Sequence, residues 1–179
     1  MKTQVCIIGA GPAGLLLGQL LRAEGIECVV LERRSPDYVL GRIRAGVLEQ
    51  ITVSLMERLG LDARLKAEGL PHDGFNLADG ERLIRIDIAA LTDKHVVVYG
   101  QTELTRDLMD AREERGLELI YDAGDVALHD VESEAPFVTF RKDGAEQRID
   151  CRFIAGCDGF HGPSRQTVPA SVGKEYERE

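Results

Sequence analysis

The stretch that decides the fold lies near the start of the chain and reads Val5-Cys6-Ile7-Ile8-Gly9-Ala10-Gly11-Pro12-Ala13-Gly14. Its apolar run predicts a buried strand, and Gly9, Gly11 and Gly14 follow at the spacing of a dinucleotide-binding turn. Gly9 permits the tight turn, Gly11 lets backbone N–H groups approach a pyrophosphate, and Gly14 allows close packing of helix on strand. Because a helix N-terminus favours an anion, the pattern predicts a nucleotide site here.

The following segments complete a strand-helix-strand unit. Pro12 suits the first turn of a helix running to about Glu24, and Gly25 suits its end. A second apolar strand covers Cys28 to Glu32, and the Glu32 carboxylate can accept hydrogen bonds from a ribose. The helix is expected to bury an apolar stripe formed by Leu16, Leu17, Leu20 and Leu21.

Composition indicates a soluble domain and excludes several partners. The 179 residues are 44% hydrophobic and carry a net charge of −9 with interspersed basic residues, so nucleic acid and anionic membranes are not expected partners. There is no signal-peptide pattern and no apolar run long enough for a membrane span, which predicts a cytoplasmic protein. The four cysteines are expected to stay reduced, with a Cys6–Cys28 disulfide as the alternative.

The middle of the chain alternates loops, helices and short strands. Residues Arg33 to Gly46 are expected to form a loop, and Pro71 to Asp87 and Val96 to Tyr99 read as short strands. Thr102 is expected to cap a helix over 103–115, ended by Gly116. An earlier helix is expected to present Leu48, Ile51, Leu55 and Leu59 on one face.

The last third is expected to add an antiparallel meander over Leu117 to Ala155. Val138 and Phe140 alternate with polar neighbours, and residues 142–145 read as a hairpin turn. The predicted fold class is therefore α/β, with a parallel Rossmann-like βαβ core and an antiparallel β-meander.

Several motifs together resemble the flavoprotein aromatic hydroxylases. The resemblance covers residues 1 to about 168 and rests on the glycine turn with Glu32 and on three further motifs: Val39-Leu40-Gly41-Arg42-Ile43-Arg44-Ala45-Gly46-Val47-Leu48-Glu49-Gln50, Tyr99-Gly100-Gln101, and Ala155-Gly156-Cys157-Asp158-Gly159-Phe160-His161-Gly162 with Arg165. It implies an FAD-binding domain over residues 1–168, with 169–179 as a tail or the start of a substrate domain. Similar enzymes are roughly twice as long, so the chain is expected to be the N-terminal part of a larger two-domain flavoprotein.

The resemblance also implies an FAD site. Arg44 would be the main cationic partner of the pyrophosphate. Asp158 would anchor its own loop, which the family shares. Ala13 stands where similar proteins carry a serine. The implied cofactor-binding residues are Gly9, Gly11, Ala13, Gly14, Glu32, Arg42, Ile43, Arg44, Ala45, Gly46, Val47, Gln101 and Asp158.

NADPH is the implied co-substrate, and a small aromatic acid, 4-hydroxybenzoate, is the implied substrate. His72 would end a proton path from the buried phenol to solvent, a role that a neutral-range imidazole suits. The full-length enzyme is expected to be a homodimer. The residues implied for NADPH are Arg33, Tyr38, Phe160, His161 and Arg165, with Arg34 assisting.

Three alternatives stay open from the sequence. The first is a related hydroxylase acting on another phenol, and the second is a non-catalytic nucleotide-binding or interaction module on the same fold. The third is an NAD-dependent dehydrogenase, which the predicted meander disfavours. Because only the ADP half of FAD would be cradled, these 179 residues alone are expected to bind FAD weakly, if at all, and to show no turnover.

Overall fold

A computed structural model describes residues 1–42, 45–169 and 171–173. The chain divides into two compact units, the first formed by Met1–Val39 with Arg112–Glu179 and the second by Leu40–Ala111. The elements are, in chain order, β1 (Val5–Ile8), α1 (Pro12–Ala23), β2 (Cys28–Leu31), α2 (Pro36–Gly41), β3 (Val47–Glu49), α3 (Gln50–Arg58), α4 (Ala63–Glu68), β4 (Leu70–His72), β5 (Gly74–Asp79), β6 (Arg82–Asp87), α5 (Ile88–Thr92), β7 (Val96–Val98), α6 (Gln101–Glu114), β8 (Leu119–Ile120), β9 (Gly124–His129), β10 (Phe137–Lys142), β11 (Ala145–Asp150), β12 (Phe153–Gly156) and α7 (Pro163–Gln166).

The first unit is built on a parallel sheet with the strand order β12-β1-β2-β8. Val5 of β1 lies opposite Cys28 of β2 on one side and Phe153 of β12 on the other. All four residues of β1 are buried, as expected for a strand covered on both faces of a parallel sheet. This arrangement confirms the predicted βαβ core and puts the carboxyl end of β1 at the glycine turn.

Helix α1 begins and ends close to the predicted residues but buries a different face. Gly25, with φ of +72°, follows the helix in the left-handed conformation that favours glycine. The predicted leucine stripe is only partly buried. Small residues allow closer approach than leucine, so the face that packs inward is the one carrying Gly14, Leu15, Gly18 and Gln19.

The antiparallel part of the first unit is a three-stranded sheet of order β11-β10-β9. Its hairpin pairs Lys142 with Ala145 across Asp143 and Gly144, which both have positive φ, as the sequence predicted. The antiparallel meander was predicted over 117–155, but β8 near its start and β12 at its end belong to the parallel sheet. The shared core contains Cys6, Ile8, Val29, Leu31, Ile120, Ala123, Val138, Phe140, Ile149 and Cys151.

The second unit holds a three-stranded sheet of order β3-β7-β4 and the β5-β6 hairpin. Leu48 lies in β3 instead of a helix, and Ile51 on α3 is 68% exposed, so the predicted apolar face over 48–59 is wrong. The buried residue of α3 is Met56. Helix α6 begins at Gln101, so Thr102 lies inside it and does not cap it.

The predicted loop over 33–46 contains one helix that the sequence did not indicate. Helix α2 spans only Pro36–Gly41, and Pro36 occupies its start, where a missing N–H costs nothing. None of its residues is buried, so no apolar periodicity marks it in the sequence. Within the described part of the chain, no helix is long and apolar enough to cross a bilayer.

The four cysteines are free thiols, and Cys6 gives the core a pH-dependent contribution. Burial, with smaller effects from Cys151 and Cys28, raises the pKa of Cys6 from 9.0 to about 12. Above its ordinary pKa the unfolded thiol loses its proton while the folded one keeps it, so stability falls as pH rises.

We expect the free energy of unfolding to fall by about 1 kcal/mol between about pH 9 and pH 10 through this group. Urea unfolding at a series of pH values measures the slope, and Cys6→Ala is the comparison. The free energy of unfolding of the variant should fall less steeply with pH. The remaining fall comes from other groups whose pKa burial raises, among them Cys151, Cys157 and Tyr99. Equal slopes in the two proteins would show that Cys6 does not titrate in this way.

Candidate functional site

The glycine turn after β1 has three glycines in three different environments. Gly9 has φ of +105°, and a Cβ there would lie 2.6 Å from the Cys157 carbonyl oxygen. A Cβ on Gly14 would overlap the Gly9 carbonyl oxygen and lie 3.2 Å from Cys157 Cβ. Among the residues that the structure describes, none has an atom within 4 Å of a Cβ on Gly11. Two glycines are therefore required by packing, whereas Gly11 borders open space.

The start of α1 offers hydrogen-bond donors to that open space. Gly11 is the N-cap residue, and no side chain caps the helix. Pro12 has no N–H, so the donors come from the following residues, beginning with the exposed Ala13. The twelve-residue helix adds the positive end of its dipole. This geometry fits an anionic group such as a pyrophosphate.

Glu32 lies beside the same turn and holds it. One carboxylate oxygen, Oε2, accepts a hydrogen bond from the Ala10 N–H at 2.9 Å, and Oε1 accepts one from the Arg34 N–H at 2.9 Å. Each carboxylate oxygen keeps a further lone pair that can accept from another donor. Glu32 therefore shapes the loop while remaining able to bind a ribose hydroxyl.

The segment after β12 packs directly onto the glycine turn. The Cys157 N–H donates to the Ile8 carbonyl at 2.8 Å. Asp158 Oδ2 accepts from the Ser164 N–H at 2.9 Å, and a Cβ on Gly162 would overlap the Asp158 carboxyl group. The structure thus brings the two sequence motifs of the first unit together, and Asp158 ties its loop to the start of α7.

The residues implied for NADPH are exposed and fall into two small groups. In one, the Arg34 guanidinium lies 4.9 Å from the ring centroid of Tyr38, which is 45% exposed. In the other, Phe160 contacts the His161 ring edge-on, and the Arg165 guanidinium lies 4.2 Å from the Phe160 centroid. Arg33 is exposed next to Arg34.

The second unit carries the remaining implied cofactor residues. The Tyr99 N–H donates to the Gly46 carbonyl at 2.8 Å, and a Cβ on Gly46 would lie 2.7 Å from Gly100 Cα. Val47 begins β3 and is 57% exposed, and Gln101 is the first residue of α6. Ala45 and Arg42 are also exposed. The implied residues Ile43 and Arg44 lie outside the described part of the chain.

His72 lies in the short strand β4, within the stretch that was expected to form short strands. It is the last residue of β4, opposite Val96 of β7, and its side chain is exposed. Leu70 and Pro71 are also exposed, so the short strand shows no alternation of burial that the sequence could have displayed. An exposed imidazole can exchange protons with solvent, which is one requirement of the implied role.

Sequence reasoning missed two polar clusters. In the first unit Arg112 is fully buried and donates to main-chain carbonyls. In the second unit the Tyr99 hydroxyl donates to Asp107, which also accepts from Arg64. The spacing of Glu103 and Asp107 on one helix face was the available signal for the second cluster. The described residues contain no group of His, Cys, Asp or Glu able to hold a metal ion.

Comparison with known proteins gives a consistent result. The FAD binding domain family matches residues 2–178. The chain is 54% identical over 179 residues to p-hydroxybenzoate hydroxylase from Acinetobacter baylyi and 26% identical over 185 residues to pentachlorophenol 4-monooxygenase from Sphingobium chlorophenolicum. Among solved structures it is similar to the anhydrotetracycline hydroxylase OxyS from Streptomyces rimosus, with a TM-score of 0.78 and 27% identity.

These matches cover most of this chain but less than half of each relative. They cover 99%, 97% and 93% of this chain, respectively. In the same order, the chain spans only 44%, 33% and 33% of the length of the three relatives.

Proposed function

Since this chain belongs to the FAD binding domain family, we propose that it forms the FAD-binding part of an NADPH-dependent monooxygenase that hydroxylates 4-hydroxybenzoate to 3,4-dihydroxybenzoate. The family match supports the cofactor. The choice of substrate rests on the 54% identity to p-hydroxybenzoate hydroxylase, of which the chain spans 44%.

The observation that carries the proposal is the contrast among the three glycines. If all three glycines served only the fold, Gly11 should have a close packing neighbour or a positive φ, as Gly9 and Gly14 have one or both. Instead its φ is −71° and the space beside it is open. Alanine could adopt that backbone conformation, so contacts among the described residues do not require a glycine here, whereas a ligand in this space would.

The residues of the first unit suggest how FAD would be held. The N–H groups of the first turn of α1 would donate to the pyrophosphate oxygens, and Glu32 would accept from the adenosine ribose. Asp158 would keep its loop against the glycine turn. When bound, the flavin supplies the redox chemistry, while the protein orients it and excludes water.

A second set of cofactor contacts is proposed from the resemblance. Arginine suits phosphate because it donates several hydrogen bonds in a fixed plane, which supports Arg42 and Arg44 in this role. The remaining members of the set are Ile43, Ala45, Gly46, Val47 and Gln101.

NADPH is proposed to bind through the two exposed groups described above. Arg33 and Tyr38 would contact its 2′-phosphate, with Arg34 assisting, because a cation beside an aromatic ring suits a phosphate next to an adenine. Phe160, His161 and Arg165 would hold the rest of the dinucleotide. His72 is proposed to pass the phenol proton to solvent.

The test is substrate-dependent turnover by the full-length protein. The expected result is NADPH oxidation stimulated by 4-hydroxybenzoate, with 3,4-dihydroxybenzoate identified by chromatography. Stimulation by another phenol alone would support a related hydroxylase instead. FAD binding without any phenol-stimulated oxidation would count against the hydroxylase assignment.

A further inference from the structure

A polar network in the second unit centres on the side chain of Asp107. The Tyr99 hydroxyl donates to Asp107 Oδ2 at 2.7 Å, and Arg64 Nη1 donates to Oδ1 at 2.6 Å. Arg64 also donates to Glu103 at 2.6 Å and, more weakly, to Glu68. The network thus joins α4, the end of β7 and α6 through charge-assisted hydrogen bonds.

The inner end of this network is shielded from water. Tyr99 is 3% exposed and the Asp107 side chain 9%, whereas Arg64 is 40% exposed. Burial, and then the hydrogen bond to Asp107, raise the pKa of Tyr99, so its hydroxyl stays a donor. Since a hydrogen bond to a charged group is strongest where water is excluded, the Tyr99–Asp107 bond should hold both residues firmly.

The same tyrosine contacts a segment proposed to bind the cofactor. Its N–H donates to the Gly46 carbonyl, and the residue after it, Gly100, leaves no room for a side chain at Gly46. The Gly100 carbonyl then accepts from the N–H groups of Glu103 and Leu104, which starts α6 at Gln101. The position of Tyr99 therefore sets where residues 45–46 and 100–101 lie relative to each other.

We propose that the Tyr99 hydroxyl, held by Asp107 and Arg64, is a positioning group that fixes the backbone of residues 45–46 and 100–101 for contact with FAD. The inference rests on the proposed function, because it takes Gly46 and Gln101 as cofactor contacts. Phenylalanine would fill the same apolar volume, so a purely space-filling role would not require the hydroxyl. Tyr99 is a positioning residue and touches no reacting atom in this account.

The test compares wild-type protein with Tyr99→Phe and a matched control. Tyr99→Phe removes one oxygen and leaves the ring. Lys66→Gln is the control, because Lys66 lies on α4 like Arg64 but forms its ion pairs with Asp62, just before α4, and with Glu57 on α3. Amide hydrogen exchange is measured on the ligand-free proteins, and FAD affinity and the visible circular dichroism of bound flavin are measured by titration.

In Tyr99→Phe, amide exchange over 45–50 and 99–104 should speed up about fivefold, as expected for losing about 1 kcal/mol of local stability. FAD should bind about three- to tenfold more weakly, with an altered flavin dichroism that a simple loss of folded protein would not produce. Lys66→Gln should match the wild type in all three measurements.

Two failures can be told apart. Unchanged exchange over 45–50, or wild-type FAD affinity and dichroism in Tyr99→Phe, would overturn the inference while leaving the proposed function in place. Full-length wild-type protein that binds no FAD would refute the proposed function, and the cofactor part of the inference with it.

Discussion

Replacing Gly11 with alanine is expected to weaken FAD binding about 10- to 100-fold, because the added methyl group would enter the space proposed for the pyrophosphate. The fold should tolerate the change, since φ at Gly11 is −71° and no atom of a described residue lies within 4 Å of the new Cβ. The free energy of unfolding should stay within about 1 kcal/mol of wild type. Fluorescence titration with FAD and urea unfolding measure the two effects.

Gly14→Ala is the matched control, because its Cβ would overlap the Gly9 carbonyl oxygen. It should lower the free energy of unfolding by about 2 kcal/mol or more. The two alanines, placed three residues apart, should therefore separate binding from folding. Wild-type FAD affinity in Gly11→Ala would mean that the open space is not where the cofactor lies.

The second large effect is expected at Arg112, the fully buried arginine of the first unit. Its guanidinium donates to the Glu118 carbonyl at 2.6 Å and to the Cys28 carbonyl at 3.1 Å. A Cβ on Gly18 would lie 2.6 Å from its Nη1, so α1 packs directly against it. Arg112→Ala would leave the Glu118 and Cys28 carbonyls without these donors and a cavity beside α1.

We expect Arg112→Ala to lower the free energy of unfolding by about 3 kcal/mol, even after the desolvation cost of the buried charge is recovered. The midpoint of urea unfolding measures this loss, provided that the free energy of unfolding falls with urea concentration at the same slope in both proteins. Arg141→Ala is the control, because Arg141 is exposed and donates to the Gly144 carbonyl of its own hairpin. Equal losses in the two variants would show that Arg112 does not anchor these strands.

The parts of the fold that could be predicted are those with strong local signals. The apolar run of β1, the glycines and Pro12 each report a local constraint, and the structure confirms the strand-helix-strand unit they indicated. The hairpin at 142–145 was predictable for the same reason, because its turn residues require positive φ.

The errors arose where distant packing decides the outcome. Leu48 was assigned to a helix because its spacing suited one, but pairing with Val97 makes it a strand residue. The buried face of α1 follows glycines that admit close neighbours, which a hydrophobicity pattern cannot show. Burial of Arg112 depends on the Cys28 carbonyl of β2, which is 84 residues away in the sequence.

The sequence could indicate which motifs meet at the candidate site, but not the hydrogen bonds within it. The sequence indicated that Glu32 and Asp158 belong with the glycine turn. It could not show that Glu32 accepts from the Ala10 N–H, or that Asp158 accepts from Ser164. These bonds preorganise the turn, and their partners follow only from the folded backbone.

Titration of the full-length protein with FAD and with NAD tests whether the open space beside Gly11 receives the pyrophosphate of FAD. The expected result is a saturable change in flavin fluorescence that ADP reverses and that Gly11→Ala weakens, with NAD binding less tightly than FAD. No saturable binding of FAD, or tighter binding of NAD than of FAD, would contradict the account.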